Sequence, residues 1–341
     1  MATPAFFGNG FLQFGREAVW GTEVNASKRI PCVVLDIQSS RGKIRSNSMD
    51  GERVRGALYA GGHRARAVIE IEMQYITGTT DPSGILMLHD AIFGTGTFGA
   101  EGFASTAGPT YTHTLTIGDV MNSLTLELGD GAPGGDVDCV LLLGAKVAEA
   151  VWTFGASYEG DDNVLKLRLT LVGYSTASNT AITGALTAQT IDPIMSHHAT
   201  TYADGYGGTT SIWNSVTWTY KTGILEDGHY IGSQYIREPV ASDFATCEVE
   251  LTGDFDSWTH FNALMNHTVT SGNLIFTWSK PGGTEQYQLS IVSGYGYVVD
   301  QTHPLTTPGI VRQTVRFESV RSADLAAMKC AIVCEAPASE G

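Results

Sequence analysis

Alternation of apolar and polar residues is the strongest pattern along the chain, and it predicts β-strands. The clearest case is the segment 67–76 (AVIEIEMQYI), where apolar side chains alternate with Glu70, Glu72 and Gln74. Glycine, aspartate and asparagine separate such segments, as is typical of turns. Further strands are predicted at residues 111–117, 123–128, 137–143, 151–158, 164–174, 211–221, 246–252, 273–278, 286–292 and 310–320. The chain is therefore expected to be mainly β.

Only two segments, 83–93 and 257–266, have the three-to-four-residue spacing of an amphipathic helix. The sequence Asp81-Pro82-Ser83 is typical of a helix start and precedes the first of them. Both are short, so tertiary packing must supply their stability. Their apolar faces carry Ile85, Leu88, Ile92, Trp258, Phe261, Leu264 and Met265.

The two halves of the chain follow the same order of elements. In each, a long polar segment leads to an acidic alternating strand, a short helix follows, and more strands complete the half. This repetition predicts two tandem modules of one type. Their expected bounds are 1–176 for the first module, 177–208 for a linker and 209–341 for the second module.

The composition favours a protein that hides part of its surface against partners. Hydrophobic residues make up 43% and charged residues 16% of the chain, against about 25% charged in an average soluble protein. A threonine-rich β-sandwich that stays monomeric would fit these values equally well. The formal net charge of −15 argues against a surface that grips nucleic acid.

Positive charge is concentrated in one part of this acidic chain. Residues 28–66 contain nine basic and three acidic side chains. We expect the segment 38–66 to be a long basic loop that docks electrostatically on an adjacent subunit or ring. A solvated loop and a nucleic-acid patch are the alternatives. The candidate contact residues are Arg41, Lys43, Arg45, Arg53, Arg55, Arg64 and Arg66.

No pattern of catalytic or metal-binding residues emerges from the sequence. The five cysteines are widely spaced and odd in number, so a disulfide or zinc framework is not expected. His197 and His198 are adjacent and would point to opposite faces of an extended segment. We expect no enzyme activity, no cofactor and no metal. A secretion signal and a membrane span are not expected either, which favours synthesis in the cytoplasm.

The sequence resembles the major tail tube proteins of bacteriophages with long, non-contractile tails. The segment FGREAVWGTEV matches the opening Gly-x-Glu-x-x-aromatic-Gly-Thr pattern of this family at Gly15, Glu17, Trp20, Gly21 and Thr22. The polar segment that leads through GALYAGGHRARAVIEIEM resembles the family's long loop before the sheet. The second half, through VELTGDFDSWTHFNAL to VRQTVRFESV, resembles its strand, helix and closing-strand order.

The resemblance implies a fold and a function. Modules of this family are β-sandwiches or half-barrels flanked by a helix, and six modules close into a ring around a lumen. A two-module subunit would form a trimeric ring with pseudo-sixfold symmetry, and stacked rings would form the tube through which DNA leaves the virion. The implied partners are other copies of the chain, a tape measure protein, and terminator or initiator proteins.

Two further expectations concern the lumen and the competing interpretations. Carboxylates on strand faces, with Glu70 and Glu72 as candidates, would give an acidic lumen that repels phosphates and does not bind DNA specifically.

The rival interpretations are another β-rich tail component, such as a terminator or distal tail protein, and a carbohydrate-binding β-sandwich. The aromatic residues considered for a sugar platform are Trp152, Trp213, Trp218 and Trp278.

Overall fold

The structure is a computed structural model of the 341-residue chain. It describes residues 11–45, 58–94, 103–106, 110–118, 120–129, 139–156, 163–179, 186, 192–204, 213–255, 258–266, 274–291, 296–302, 311–319 and 329–336.

The described residues form two sheets and two α-helices. The helices are α1 (Ile85–Phe93) and α2 (Thr259–Met265), and a short 3-10 helix spans Ser196–His198. The strands of the first half are β1 (Phe11–Arg16), β2 (Lys28–Ile30), β3 (Val34–Arg45), β4 (Leu58–Glu72), β5 (Phe103–Thr106), β6 (Tyr111–Thr116), β7 (Leu124–Gly129), β8 (Cys139–Gly155), β9 (Lys166–Gly173) and β10 (Ser175–Asn179). The later strands are β11 (Ala199–Asp204), β12 (Trp213–Lys221), β13 (Thr246–Asp254), β14 (Leu274–Ser279), β15 (Gln286–Ile291), β16 (Gly296–Thr302), β17 (Arg312–Ser319) and β18 (Lys329–Cys334).

The larger sheet contains an uninterrupted antiparallel series of eight strands. Their order is β3-β4-β9-β8-β12-β13-β17-β16. The first four strands come from the first half of the chain and the last four from the second half. Strands β8 and β12 join the halves, with Trp152 opposite Trp218 in the register. The two halves therefore share one sheet.

Strand β8 is 17 residues long, and its two ends have different neighbours. Its second part pairs with β9 and β12, whereas its first part pairs with β10 and β7. Strand β7 continues the sheet to β1 and β2. This branch brings the N-terminal strand against the middle of the sheet.

The smaller sheet also mixes strands from both halves. Its order is β11-β14-β15-β18-β6-β5, and every described pairing in it is antiparallel. Strand β18 lies between β15 of the second half and β6 of the first half. Strand β18 thus connects the two halves within the smaller sheet.

The main core lies between the two sheets and encloses α1. Trp152, Trp218 and Trp278 are fully buried in it. Burial of each large side chain removes enough apolar surface from water to contribute roughly 2–3 kcal/mol. Three of the four tryptophans considered for a sugar platform are thus core residues.

Helix α1 begins within two residues of the predicted start at residue 83. The carboxylate of Asp81 accepts hydrogen bonds from the Ser83 hydroxyl (2.6 Å) and from the backbone N–H groups of Gly84 and Leu86 (2.9 Å each). These bonds satisfy donors that the first helical turn leaves unpaired. The predicted second helix is confirmed as α2.

The mainly β fold is confirmed, although several strand bounds differ from the expected ones. The two strands predicted at 137–143 and 151–158 form the single strand β8, since Lys146, Val147 and their neighbours continue the ladder. The predicted strand at 67–76 is the second part of β4, which begins at Leu58. The division into modules at 177–208 stays a prediction; within that range lie the end of β10 and all of β11.

Candidate assembly surfaces

The eight-strand series ends in two edge strands, β3 and β16. Among the described residues, β3 pairs with β4 and β16 pairs with β17, and neither strand has a second neighbour. The backbone groups on the outer side of such strands can pair with another chain. These edges were missed as strands in the sequence, although Leu35-Asp36-Ile37-Gln38 alternates and Tyr297-Val298-Val299 is rich in β-formers.

The N-terminal Gly-x-Glu-x-x-aromatic-Gly-Thr motif forms a clasp on the branch of the large sheet. The buried Glu17 carboxylate accepts hydrogen bonds from the backbone of Gly21 (2.8 Å) and Gly144 (2.7 Å). It also accepts bonds from the hydroxyls of Ser123 (2.9 Å) and Thr125 (2.8 Å). A single side chain thus connects the N-terminal turn to β7 and β8 and to the segment before β7.

The other motif residues complete the same clasp. Trp20 donates from Nε1 to the carbonyl of Gly144 (3.0 Å), and Thr22 donates its backbone N–H to Val19 (3.1 Å). Gly21 has φ of 73°, which few other residues adopt without strain. A Cβ at Gly15 would lie 2.6 Å from the carbonyl oxygen of Asn25. The motif is therefore a structural one in this chain.

The predicted basic loop includes a long β-hairpin formed by β3 and β4. Arg41 and Lys43 are exposed on β3, whereas Arg64 and Arg66 lie on β4. Arg45 ends β3, and residues 46–57, with Arg53 and Arg55, lie outside the described residues. The structure brings all five described candidates onto one hairpin.

Arg64 and Arg66 point toward a loop of the second half, residues 222–245, which we call the rim loop. Glu226 of this loop lies 3.4 Å from Arg64 and 4.0 Å from Arg66. The backbone N–H of His63 donates to Gln234 in the same loop. Arg64 and Arg66 therefore share one acidic partner within the chain, while Arg41 and Lys43 lie farther along the hairpin.

The rim loop is held as an irregular hairpin with an apolar tip. Backbone hydrogen bonds connect Leu225 to Val240 (3.0 Å) and Arg237 to Gly228 (2.8 Å). The tip is a turn in which Ser233 donates to Tyr230, and Ile231 within it is fully exposed.

Glu70 and Glu72 lie on the face of the large sheet opposite the core, which we call the open face. Their neighbours Ile69 and Ile71 point into the core. In the register, Glu70 is opposite Arg168 and Glu72 is opposite Lys166. Opposite charges at such positions attract each other, so the field of these carboxylates is partly neutralised.

The second half carries a similar mixture of charges on the open face. Glu250 and Arg316 form an ion pair of 3.0 Å across β13 and β17. Glu248 lies opposite Glu318 on the same two strands. The described open face thus carries both positive and negative side chains. It includes two carboxylates, Glu248 and Glu318, that lie opposite each other.

Residues considered for metal chemistry are not gathered into a site where the structure describes them. No group of three or more His, Cys, Asp or Glu residues in the described ranges could hold a metal ion. The His198 ring stacks on Tyr75, with Nδ1 3.3 Å from the phenol oxygen. Burial raises the pKa of the Cys247 and Cys330 thiols to about 12, which keeps both protonated and unreactive at neutral pH. Within the described parts, no helix has the length and apolarity needed to cross a membrane.

These features define a structural β-protein whose prominent surfaces are strand edges, a charged hairpin and a charged sheet face. The family comparison agrees with this class. A model of the phage tail tube protein family matches residues 9–319, so the chain belongs to that family. It is accordingly a structural component of a virion. No curated protein sequence matches the chain significantly.

Proposed function

We propose that this chain is the tube subunit of a long, non-contractile phage tail and has no enzymatic role. Three copies close into a ring with pseudo-sixfold symmetry, and rings stack into a conduit for DNA. The repeated strand order in the large sheet is the observation that carries this proposal.

The repeat is seen when the two sets of four strands are compared. In β3-β4-β9-β8, a helix follows the second strand, and the same is true of β12-β13-β17-β16. The sets meet where β8 pairs antiparallel with β12. Strand β16 occupies the position of β8, and β3 occupies that of β12. An antiparallel junction of β16 with β3 of the next copy would therefore repeat the internal junction.

Such a junction is a head-to-tail contact between two different surfaces, and it closes into a ring when the rotation permits. Three copies give 24 strands, because each contributes eight. Strands about 4.8 Å apart then produce a circumference of about 115 Å and a backbone diameter of about 37 Å before strand tilt widens the barrel.

The open face would line the lumen, since the other face packs on the core. Glu70 and Glu72 would then face the DNA, together with Arg168 and Lys166 on the neighbouring strand. The acidic chain gives the wall an overall repulsion for phosphates, and the interspersed cations weaken it. DNA would pass such a wall without a preferred position.

The basic hairpin would connect one ring to the next. Arg41 and Lys43, with Arg45, Arg53 and Arg55 farther along, would meet an acidic surface of the adjacent ring. Arg64 and Arg66 would hold the base of the hairpin through Glu226. A tape measure protein and terminator or initiator proteins would set the length of the tube, which assembles in the host cytoplasm.

Electron microscopy of the concentrated, purified chain tests the proposal. We expect hollow tubes of stacked rings, and averaged end views with three copies per ring. End views with six copies would contradict the two-module ring. A chain that stays monomeric, even in the presence of the phage's own initiator complex, would contradict the tube function itself.

A further inference from the structure

The two helices occupy equivalent places in the repeated strand order but differ in burial. Helix α1 follows β4 and contacts β8, the last strand of its set, while α2 follows β13 and contacts β16. All nine residues of α1 are buried. On α2, Met265 is 63% exposed, and Trp258 at its N-terminus is 49% exposed.

Two side chains from the second half contact α1, in addition to β6 and β8 of its own half. Phe93 stacks on Tyr220 of β12 with ring centroids 5.8 Å apart. Tyr287 of β15 donates a hydrogen bond to Nε2 of His89 (2.8 Å), because Nδ1 of that ring donates to the Ile85 carbonyl. Helix α1 therefore lies beneath the β8–β12 junction, and part of its surface is covered by the half that follows it.

Helix α2 lies beneath the equivalent position, where the sheet of this copy ends at β16. We propose that the exposed face of α2 is covered by the first half of the next copy in the ring. This inference rests on the proposed function and identifies the contact that seals the ring below the strand junction.

The edge strand β3 offers an apolar surface for this contact. Ile37 is opposite Ala67 in the register, so it lies on the core face of β3, and it is only partly buried. Val33, directly before the strand, is 52% exposed. Burial of these side chains against Trp258 and Met265 would remove apolar surface of both copies from water.

A second copy in an adjacent ring is the competing occupant. The rim loop precedes β13, and α2 follows β13. The rim loop and α2 therefore lie at opposite ends of this nine-residue strand, about 30 Å apart. Stacked rings would bring opposite ends together, which could place the Tyr230–Ile231 tip on α2. The strand order favours the neighbour within the ring. Helix α1 is contacted by Tyr220 of β12, the strand next to β8, and β3 of the next copy would take the place of β12.

Charge substitution at the helix tests the proposal in the full-length chain. Met265→Glu should prevent ring closure and reduce the ring fraction at least tenfold in analytical ultracentrifugation, because a carboxylate would be buried in an apolar contact. Phe244→Glu is the matched control, since Phe244 is 90% exposed and precedes β13 at its other end. Both variants should unfold at the temperature of the unchanged chain. Unimpaired rings of Met265→Glu would overturn the inference.

A photo-cross-link identifies the occupant directly. Benzoylphenylalanine at position 265, in a mixture of isotope-labelled and unlabelled copies, should cross-link to residues 31–38 of another copy. Cross-links to residues 222–245 would assign the face to ring stacking and overturn the inference, while leaving the tube function intact. If the unchanged chain forms no rings under any assembly condition, the proposed function fails and this inference fails with it.

Discussion

At the scale of single residues, Glu17 is the side chain whose loss should cost most at the N-terminal clasp. Its carboxylate accepts four hydrogen bonds and is buried. Glu17→Ala leaves the backbone donors of Gly21 and Gly144 without their acceptor. We expect a loss of about 3 kcal/mol in the free energy of unfolding, measured by urea denaturation.

Glu23→Ala is the control for this prediction, because Glu23 is an exposed carboxylate in the same segment. Its effect should stay within about 0.5 kcal/mol. Equal unfolding free energies for the two variants would show that the clasp does not stabilise the fold.

His89 is the second residue with a measurable role, and its effect depends on pH. Burial lowers the pKa of its imidazole to about 4 from the ordinary 6.5. Between pH 6.5 and 4 the imidazole is protonated in the unfolded chain but not in the folded one. The stabilisation from this group is therefore complete above about pH 6.5 and is lost as the pH falls toward 4. Between pH 7.5 and 5 the loss amounts to about 2 kcal/mol.

Urea denaturation at both pH values checks this prediction. The decrease in unfolding free energy from pH 7.5 to 5 should be about 2 kcal/mol smaller in His89→Gln than in the unchanged chain. His197→Gln, at an exposed position, should retain the full decrease. A His89→Gln variant with the full decrease would exclude protonation of His89 as its cause.

At the scale of elements, the β3–β4 hairpin separates two groups of arginine and lysine. Arg41 and Lys43 are exposed, whereas Arg64 and Arg66 face Glu226. Arg41→Glu with Lys43→Glu should leave rings intact but shorten the tubes several-fold at low salt, because it reverses the charge that docks on the next ring. Negative-stain microscopy measures the tube lengths.

The matched control replaces Arg64 and Arg66 by glutamine. These changes remove partly exposed ion pairs with a partner in the same chain, so they should cost less than 1 kcal/mol and leave tube length nearly unchanged. If the control shortens the tubes as much as the charge reversal does, docking is not specific to the exposed part of the hairpin.

The sequence predicted these elements unequally, for physical reasons. Strands with one buried face, such as β12 and β13, alternate strictly and were predicted within two residues. Strand β18 (KCAIVC) was not predicted as a strand, because a short apolar run has no clear period. The Glu17 clasp was visible only as a motif, since three of its four hydrogen-bond partners are more than 100 residues away.

At the scale of the whole molecule, the two halves of the chain share both sheets. Strands β8 and β12 pair across the halves, and β18 pairs with both β15 and β6. A fragment ending before β11 would expose the β8 edge and the surface of α1 that Tyr220 and Tyr287 cover. The common core does not contradict the repeated strand order, and the division into two modules stays a prediction.

The strand order also predicts the stoichiometry of the ring. Three chains of 36.4 kDa give a ring of about 109 kDa with 24 inner strands, whereas six chains would give 48 strands and about twice the bore. Native mass spectrometry of rings released from tubes should therefore find a trimer. End-view averages should show six similar lobes that alternate in detail, because α1 and α2 differ. A hexamer with a wall of about 74 Å backbone diameter would mean that β16 and β3 join differently from β8 and β12.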